Sequence, residues 1–178
     1  PYVLKPVNEG SSVGIAIVTD ESNYGNPIAK DVPGPWLDFD ELLAEPFVGS
    51  RELTVAVLND HALAITELKP TRGFYDYEAK YTDGLTEHHC PADLPHAVAD
   101  RAKVVALEAH RLLGCDGVSR ADFRYDDGGG PDGLWLLEVN TQPGMTPLSL
   151  VPEQAKHIGM AYPELVQAII DAGMKRGS

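Results

Sequence analysis

The sequence predicts an α+β fold built on antiparallel strand pairing. Three observations carry this. Two strand–turn–strand units can be read, "LTVAVLNDHALAITEL" around Asn59-Asp60 and "VSRADFRYD" with "LWLLEVN" around "DGGGPDG". Helical periodicity falls between and after these units and does not alternate with single strands, so the rhythm of a doubly wound parallel sheet is missing. The chain has 178 residues, 43% hydrophobic and 23% charged, which suits one ordinary domain or parts of two.

Taken in order, residues 2–5 read as a short strand stopped by Pro6, and "NEGSSVG" as a small-residue loop leading to a second strand over 15–18. "DESNYGNPIAKDVPGPW" is rich in Gly, Pro, Asn and Asp and reads as a surface excursion. "DFDELLAE" is expected to form a short helix or turn. After the first hairpin, "KPTRGFYDYEAKYTDGLTEHHCPAD" lacks apolar periodicity and is too long for an idle connection. From about Pro95 to Leu113, Val98, Ala102, Val105, Ala109 and Leu112 recur at steps of four and three, the signature of an amphipathic helix ended by Gly114. The second hairpin alternates strictly, with Arg120, Asp122 and Arg124 on one face and Ala121, Phe123 and Tyr125 on the other. "PLSLVPEQAKHIG" ends in a short helix, and "YPELVQAIIDAGMK" is a terminal one.

The balance of 27 acidic against 14 basic residues, a net charge of −13, argues against a nucleic-acid-binding surface. No apolar run approaches the roughly 20 residues of a membrane span, and no signal peptide is visible. The two cysteines, Cys90 and Cys115, are not in a CxxC pair and read as free thiols of a reducing compartment. His88, His89 and Cys90 are neighbours, but adjacent strand residues point to opposite faces, so they read as surface or core groups and not as a soft-metal site. The chain opens without Met directly on a strand-like run, and is expected to be a fragment.

The chemistry concentrates in the second hairpin. If its strands pair, Arg120, Asp122, Glu138 and Asn140 can project on one side. Two carboxylates placed together need neutralising. Hard oxygen donors of this kind suit Mg²⁺ or Mn²⁺ better than Zn²⁺. The alternative is a solvated face with a cross-strand Arg–carboxylate pair, and spacing alone does not decide. "EGSSVG" has the small residues that let a backbone approach phosphates, with Lys5 just before it. Ser149 stands where a helix begins, a place that favours an anion. Tyr75, Tyr77, Lys80 and Tyr81 of the long loop could close over a charged ligand. Together these fit phosphoryl transfer from a nucleotide.

Four stretches, "VLKPVNEGSSVG", "FYDYEAKY", "SRADFRYD" and "LLEVNTQPGMTPLSLVP", together resemble the D-alanine–D-alanine ligases, ATP-grasp enzymes of bacterial cell-wall synthesis. The likeness is collinear and covers nearly the whole chain. "EAKY" and "EVNTQPGMT" with "SLVP" are its family-specific pieces; the others recur across ATP-grasp enzymes. The resemblance implies an ATP-grasp-type α+β fold, mostly antiparallel sheet with packed helices. Residues 1–50 would be the remaining part of the central subdomain and 51–178 the C-terminal domain, with the N-terminal substrate domain absent from this chain.

It also implies an activity. ATP would phosphorylate the carboxylate of one D-alanine, and the amine of a second would attack the acyl phosphate, for peptidoglycan synthesis in the cytoplasm. Lys5 and Lys80 would contact ATP phosphates, with Ser12 on phosphate and Ser11 near the substrate. Glu45 to Val48, including Phe47, would form the adenine hinge, with Glu45 accepting from the adenine amino group. Pro46 lacks an N–H there, but the hinge would need only its carbonyl and the N–H of Val48. Glu52 would bind the ribose. Asp122, Glu138 and Asn140 would hold two Mg²⁺ (or Mn²⁺). Arg120 and the Gly144 N–H would stabilise the tetrahedral oxyanion, glycine tolerating any backbone angle and close ligand approach. Ser149 and the Leu150 N–H would bind the second substrate's carboxylate. Tyr81 would bond Ser11, which implies dipeptide and not depsipeptide ligation. The partners implied are D-alanine, the missing N-terminal half and, for the complete enzyme, a second copy as a homodimer. This chain alone is expected not to ligate. Rival readings are another ATP-grasp carboxylate–amine ligase and a non-catalytic Mg·nucleotide-binding module.

Overall fold

The structure, a computed structural model, describes residues 1–10, 12–19, 34–70 and 86–176. The chain divides into two compact units, the first centred on Pro1–Val48 and the second on Gly49–Lys69 with Glu87–Ser178.

The first unit holds a three-stranded antiparallel sheet of order β2-β1-β3, made of β1 (Tyr2–Pro6), β2 (Ala16–Val18) and β3 (Leu42–Pro46). Leu4, Ala16, Val18 and Trp36 are its buried apolar residues. The expected helix or turn over "DFDELLAE" is corrected here: residues 42–46 are a strand. "DELLAE" is made of good helix formers, but each residue from Leu42 to Pro46 is opposite one of β1, and this pairing overrides local propensity. The loop after β1 turns tightly, with the Val13 N–H donating to the Gly10 carbonyl at 3.1 Å. Gly14 closes it at φ +70°, where an added Cβ would lie 2.6 Å from the Phe39 ring.

The second unit is a five-stranded sheet of order β6-β5-β4-β7-β8, with β4 (Arg51–Leu58), β5 (His61–Pro70), β6 (Thr86–His89), β7 (Val118–Tyr125) and β8 (Leu134–Asn140). The β4–β5, β4–β7 and β7–β8 pairs are all antiparallel. The first hairpin turns at Asn59, whose φ of +53° suits an Asn. Strand β6 lies in the stretch that sequence reading left as an unpatterned connection; four residues without alternation do not announce a strand.

Helix α1 (His96–Leu112) covers one face of this sheet, packing Val98, Ala102 and Ala106 over Leu53, Val55, Val57, Ala121, Phe123 and Tyr125. Its buried stripe runs Val98, Ala102, Ala106, His110 in steps of four. The expected Ala109 and Leu112 lie off that stripe, and Leu112 is 87% exposed. The two stripes share their first two residues and then diverge. The sheet takes the small Ala106, which allows close approach, and a histidine that sequence reading passed over. The His110 Nδ1 lies 2.7 Å from the Ser119 hydroxyl, and burial pushes its pKa down. The opposite face carries Ala56, Leu58, Leu63 and Val118, covered by Val151 and Ala155 of α2 (Leu150–His157) and Leu165 of α3 (Tyr162–Arg176). An ion-pair latch joins the strands at the other end. Arg51 forks onto the almost fully buried Glu67, with both contacts at 2.8 Å, and also reaches Asp127 and the Asp93 carbonyl.

Candidate active site

Strand alternation puts Arg120 and Asp122 on the sheet face that α2 and α3 share, and the register supplies their partners. Arg120 is opposite Asn140, and Asp122 is opposite Glu138. Directly opposed residues share a face, so the four expected polar groups are brought together. This arrangement depends on a feature the sequence does not announce. Between Asp122 and Phe123 the β7–β8 register slips by one, leaving Leu137 without a partner. In an unbroken ladder continued from Phe123–Leu136, Leu137 would be opposite Asp122. The bulge re-aims the strand so that a carboxylate is there instead.

Asp122 is gripped from two strands. Arg120 donates from Nε to Oδ1 at 2.8 Å and from Nη2 to Oδ2 at 2.7 Å. The Thr54 hydroxyl of β4 donates to Oδ1 at 2.8 Å. The Arg–carboxylate pair is therefore within β7, two residues apart, and not the cross-strand pair weighed from spacing. It leaves Glu138, an exposed carboxylate on edge strand β8, facing an already paired aspartate. One guanidinium against two carboxylates leaves a net negative charge, with the amide of Asn140 beside it.

This donor set fits a hard divalent cation. It consists of two carboxylates and an amide, all of oxygen type, on one face. Among the described residues there is no group of three His, Cys, Asp or Glu that could hold a metal ion. Mg²⁺ takes only a few protein oxygens and keeps waters and substrate phosphates as its other ligands.

The second cluster lies at the start of α2. Ser149 is the helix N-cap residue, but its hydroxyl does not cap. It accepts from the Thr146 N–H at 3.0 Å and lies 2.9 Å from the Thr146 hydroxyl. The Pro143-Gly144 turn comes so close that a Cβ on Gly144 would be 2.8 Å from the Ser149 Oγ. Gly144 thus leaves room for the Ser149 hydroxyl as it is placed here and does not supply a left-handed angle, since its φ is not positive. The Tyr162 hydroxyl donates to the Met145 carbonyl at 2.9 Å, tying the same turn to α3. Leu150, the first residue of α2, is buried.

Two residues that sequence reading missed bolt α2 to the sheet. Gln154 is fully buried. Its Oε1 accepts from the Ala56 N–H at 2.8 Å, and its Nε2 donates to the Thr54 carbonyl at 3.1 Å, where the β4–β5 register slips between Val55 and Val57. Beside it, the Glu153 carboxylate accepts from the Thr66 hydroxyl at 2.9 Å and lies 3.2 Å from His88 Nδ1. Burial raises the Glu153 pKa, but the bonds from His88 and Thr66 and the imidazole charge outweigh it and leave the group below the ordinary carboxylate range. Thr54 and Thr66 are opposite each other on β4 and β5.

The remaining expected residues divide between the units. In the first, Lys5 is ion-paired with Glu45 across β1 and β3. Ser12 adopts a φ of +62° in the small-residue loop. At the end of β3, the Phe47 N–H donates to the Pro1 carbonyl at 3.2 Å, and Val48 follows. In the second unit Glu52 pairs with its cross-strand neighbour Arg124 at 3.4 Å, and Arg124 also donates to the Gly49 carbonyl at 2.8 Å. Ser11, Lys80 and Tyr81 lie outside the described residues, as do Tyr75 and Tyr77. His88 and His89 face carboxylates, Glu153 and Glu87, and not each other. Cys90 and Cys115 are free thiols. No described helix is long and apolar enough to cross a membrane.

Known proteins match along nearly the whole chain. The family described as D-ala D-ala ligase C-terminus matches residues 1–171. A D-alanine–D-alanine ligase of Sphingopyxis alaskensis is 70% identical over 174 residues, covering 98% of this chain and 56% of that protein. One of Erythrobacter litoralis is 68% identical over 175 residues, covering 98% and 54%. The crystal structure of the Bacillus anthracis D-alanine–D-alanine ligase superposes with a TM-score of 0.76 at 31% identity, over 98% of this chain and 55% of that one. A D-alanine–D-alanine ligase of Bacillus anthracis complexed with ATP gives 0.75 at 26% identity, over 98% of this chain and 53% of that one. The chain therefore spans about half the length of the relatives it matches.

Proposed function

The chain belongs to the D-alanine–D-alanine ligase family, in its C-terminal part, with that family's ATP-grasp type of α+β fold, and we propose that it supplies the phosphoryl-transfer and acyl-transfer groups of that ligation. The observation that carries this is the quartet on β7 and β8: Arg120 forked on Asp122, with Glu138 and Asn140 brought opposite by a bulge.

Asp122, Glu138 and Asn140 would hold Mg²⁺ or Mn²⁺, two ions in the full reading. When bound, the metal neutralises the charge on ATP phosphate oxygens. Lys5 and Ser12 bind phosphate, Glu45, Phe47 and Val48 hold adenine, and Glu52 holds ribose. Lys5 and Glu45 neutralise each other here, and each exchanges that partner for its own end of the nucleotide. Arg120 and the Gly144 N–H stabilise charge on the oxygen of the carbonyl under attack. Ser149 and the Leu150 N–H hold the carboxylate of the attacking D-alanine at the helix end. Lys80, Ser11 and Tyr81 enter on the resemblance, Lys80 to phosphate and the Ser11–Tyr81 pair to close the site, which favours D-alanine over D-lactate as acceptor. Residues 1–50 act as part of a nucleotide-clasping subdomain and 51–178 as the catalytic one. The setting is cytoplasmic, and the complete enzyme is a homodimer.

The test is phosphate release from Mg·ATP, with and without D-alanine, by this chain and by the chain joined to the N-terminal half of a curated relative. Release by the joined protein only, and only with D-alanine, is expected. Release driven by a different amino or carboxylic acid would keep the chemistry and replace the substrate. Turnover by the isolated chain would overturn the split-site reading.

A further inference from the structure

Asp122 has more donors than a bare metal ligand needs, and their arrangement selects one of its oxygens. Oδ1 accepts from both the Thr54 hydroxyl and Arg120 Nε, which uses its two in-plane lone pairs. Oδ2 accepts from Arg120 Nη2, and among the described residues its second lone pair has no other donor. Thr54 is 1% exposed and stands on the central strand, between Thr66 on β5 and Asp122 on β7. Its backbone is fixed in turn by Gln154, through the Thr54 carbonyl and the next N–H but one.

We propose that Thr54 is a positioning residue for cation binding: its hydroxyl locks the Asp122 carboxylate plane and directs Oδ2 to the metal. Arg120 alone cannot do this. It is on the same strand as Asp122, so its fork orients the carboxylate from that strand only. The Thr54 donor holds it from the neighbouring strand. Groups that orient metal ligands affect affinity about 10–100-fold when removed. The proposal rests on the reading of Asp122 as a ligand, and the experiment separates the two.

Mn²⁺ binding is measured by its paramagnetic resonance signal, in the joined enzyme with a non-hydrolysable ATP analogue, for the parent and for Thr54→Val, Thr54→Ser and Asp122→Asn. Thr54→Val keeps the shape and removes the hydroxyl. Thr54→Ser keeps the hydroxyl and removes a buried methyl group. If Thr54 only packs, the serine variant suffers at least as much as the valine one. If it positions Asp122, Thr54→Val weakens Mn²⁺ by about tenfold and Thr54→Ser stays near the parent, while far-UV circular dichroism of the metal-free proteins is unchanged in both. Parental affinity in Thr54→Val, with affinity lost in Asp122→Asn, would overturn the proposal and spare the ligand assignment. Parental affinity in Asp122→Asn would overturn both.

Discussion

Replacing Gln154 by Met tests how helix α2 is held to the sheet. Met has nearly the same length and volume, so little cavity or overpacking cost is expected. What disappears is a pair of buried hydrogen bonds, from the Ala56 N–H at 2.8 Å and to the Thr54 carbonyl at 3.1 Å. Leaving a buried backbone donor or acceptor without its partner costs about 1–3 kcal/mol, so the two together should cost about 2–6 kcal/mol. That is a large share of the roughly 5–15 kcal/mol of a typical domain. Urea unfolding reads it in a Trp36→Phe background, where Trp135 is the remaining tryptophan and reports on the second unit. The midpoint should fall with little change in slope. A loss below about 1 kcal/mol would show that the bonds are replaced by water, and the reasoning would fail. Gln154→Glu sharpens the test. One carboxyl oxygen can still accept from Ala56, but the other faces a carbonyl and must keep a proton to donate. Its folded pKa is then raised above the unfolded value of about 4.3. A raised group contributes its stability below the unfolded pKa and loses it as pH rises through the folded one. The gap between Gln154→Glu and the parent should therefore widen from about pH 5 upward, toward the pH 8–9 documented for buried Glu. A gap independent of pH would mean that the carboxyl finds water.

Two further outcomes follow from contacts in the second unit. Glu67→Gln breaks a part-buried fork with Arg51, which keeps Asp127 and the Asp93 carbonyl, and should cost about 1.5–3 kcal/mol in urea unfolding at neutral pH. Burial raises the Glu67 pKa, but the Arg51 bonds and charge outweigh it, so the group stands below its ordinary range. Its contribution is therefore full above the ordinary carboxylate value and lost as pH falls through the depressed one. The variant should lose less stability than the parent on acidification, and equal acid limbs would refute the assignment. Gly144→Ala places a Cβ 2.8 Å from the Ser149 Oγ, which must turn away from the Thr146 N–H, and should cost about 1 kcal/mol. In a Ser149→Ala background the same change should cost little in thermal melts, and an equal cost would mean that the strain lies elsewhere.

What could be read from the sequence was what periodicity records. The alternation of "VSRADFRYD" placed Ala121, Phe123 and Tyr125 in the core and Arg120 and Asp122 on the other face, as found. Asn59-Asp60 marked the first hairpin, and the apolar spacing marked α1. Periodicity failed where pairing decided. "DELLAE" is a strand only because β1 lies beside it. The end of the α1 stripe went to Ala106 and His110, because steps of four from Val98 and Ala102 carry those positions to the sheet and leave Leu112, the last residue of the helix, exposed. Gln154 and Glu153 read as an ordinary polar helix surface. Nothing local tells that their partners, Thr54, Ala56 and Thr66, are 87 to 100 residues away.

Two register slips among the described residues of the sheet bear on Asp122. The one between β4 and β5, whose extra residue is in β5, lies where Gln154 bonds to Thr54 and Ala56 of β4, and Thr54 donates to the carboxylate. The one in β8 exchanges Leu137 for Glu138 opposite it. Without the second, Arg120 and Asp122 would form a neutral pair facing a leucine, with both charges already satisfied and no reason to bind anything. With it, the face carries one negative charge more than its guanidinium neutralises. A surface ion pair gains little in free energy, so stability alone gives no reason to interrupt a ladder for Glu138. Bulges recur beside active sites because they re-aim a side chain in this way. On the function proposed above, the irregular pairing is the part of the fold that would turn a structural salt bridge into a place for a cation.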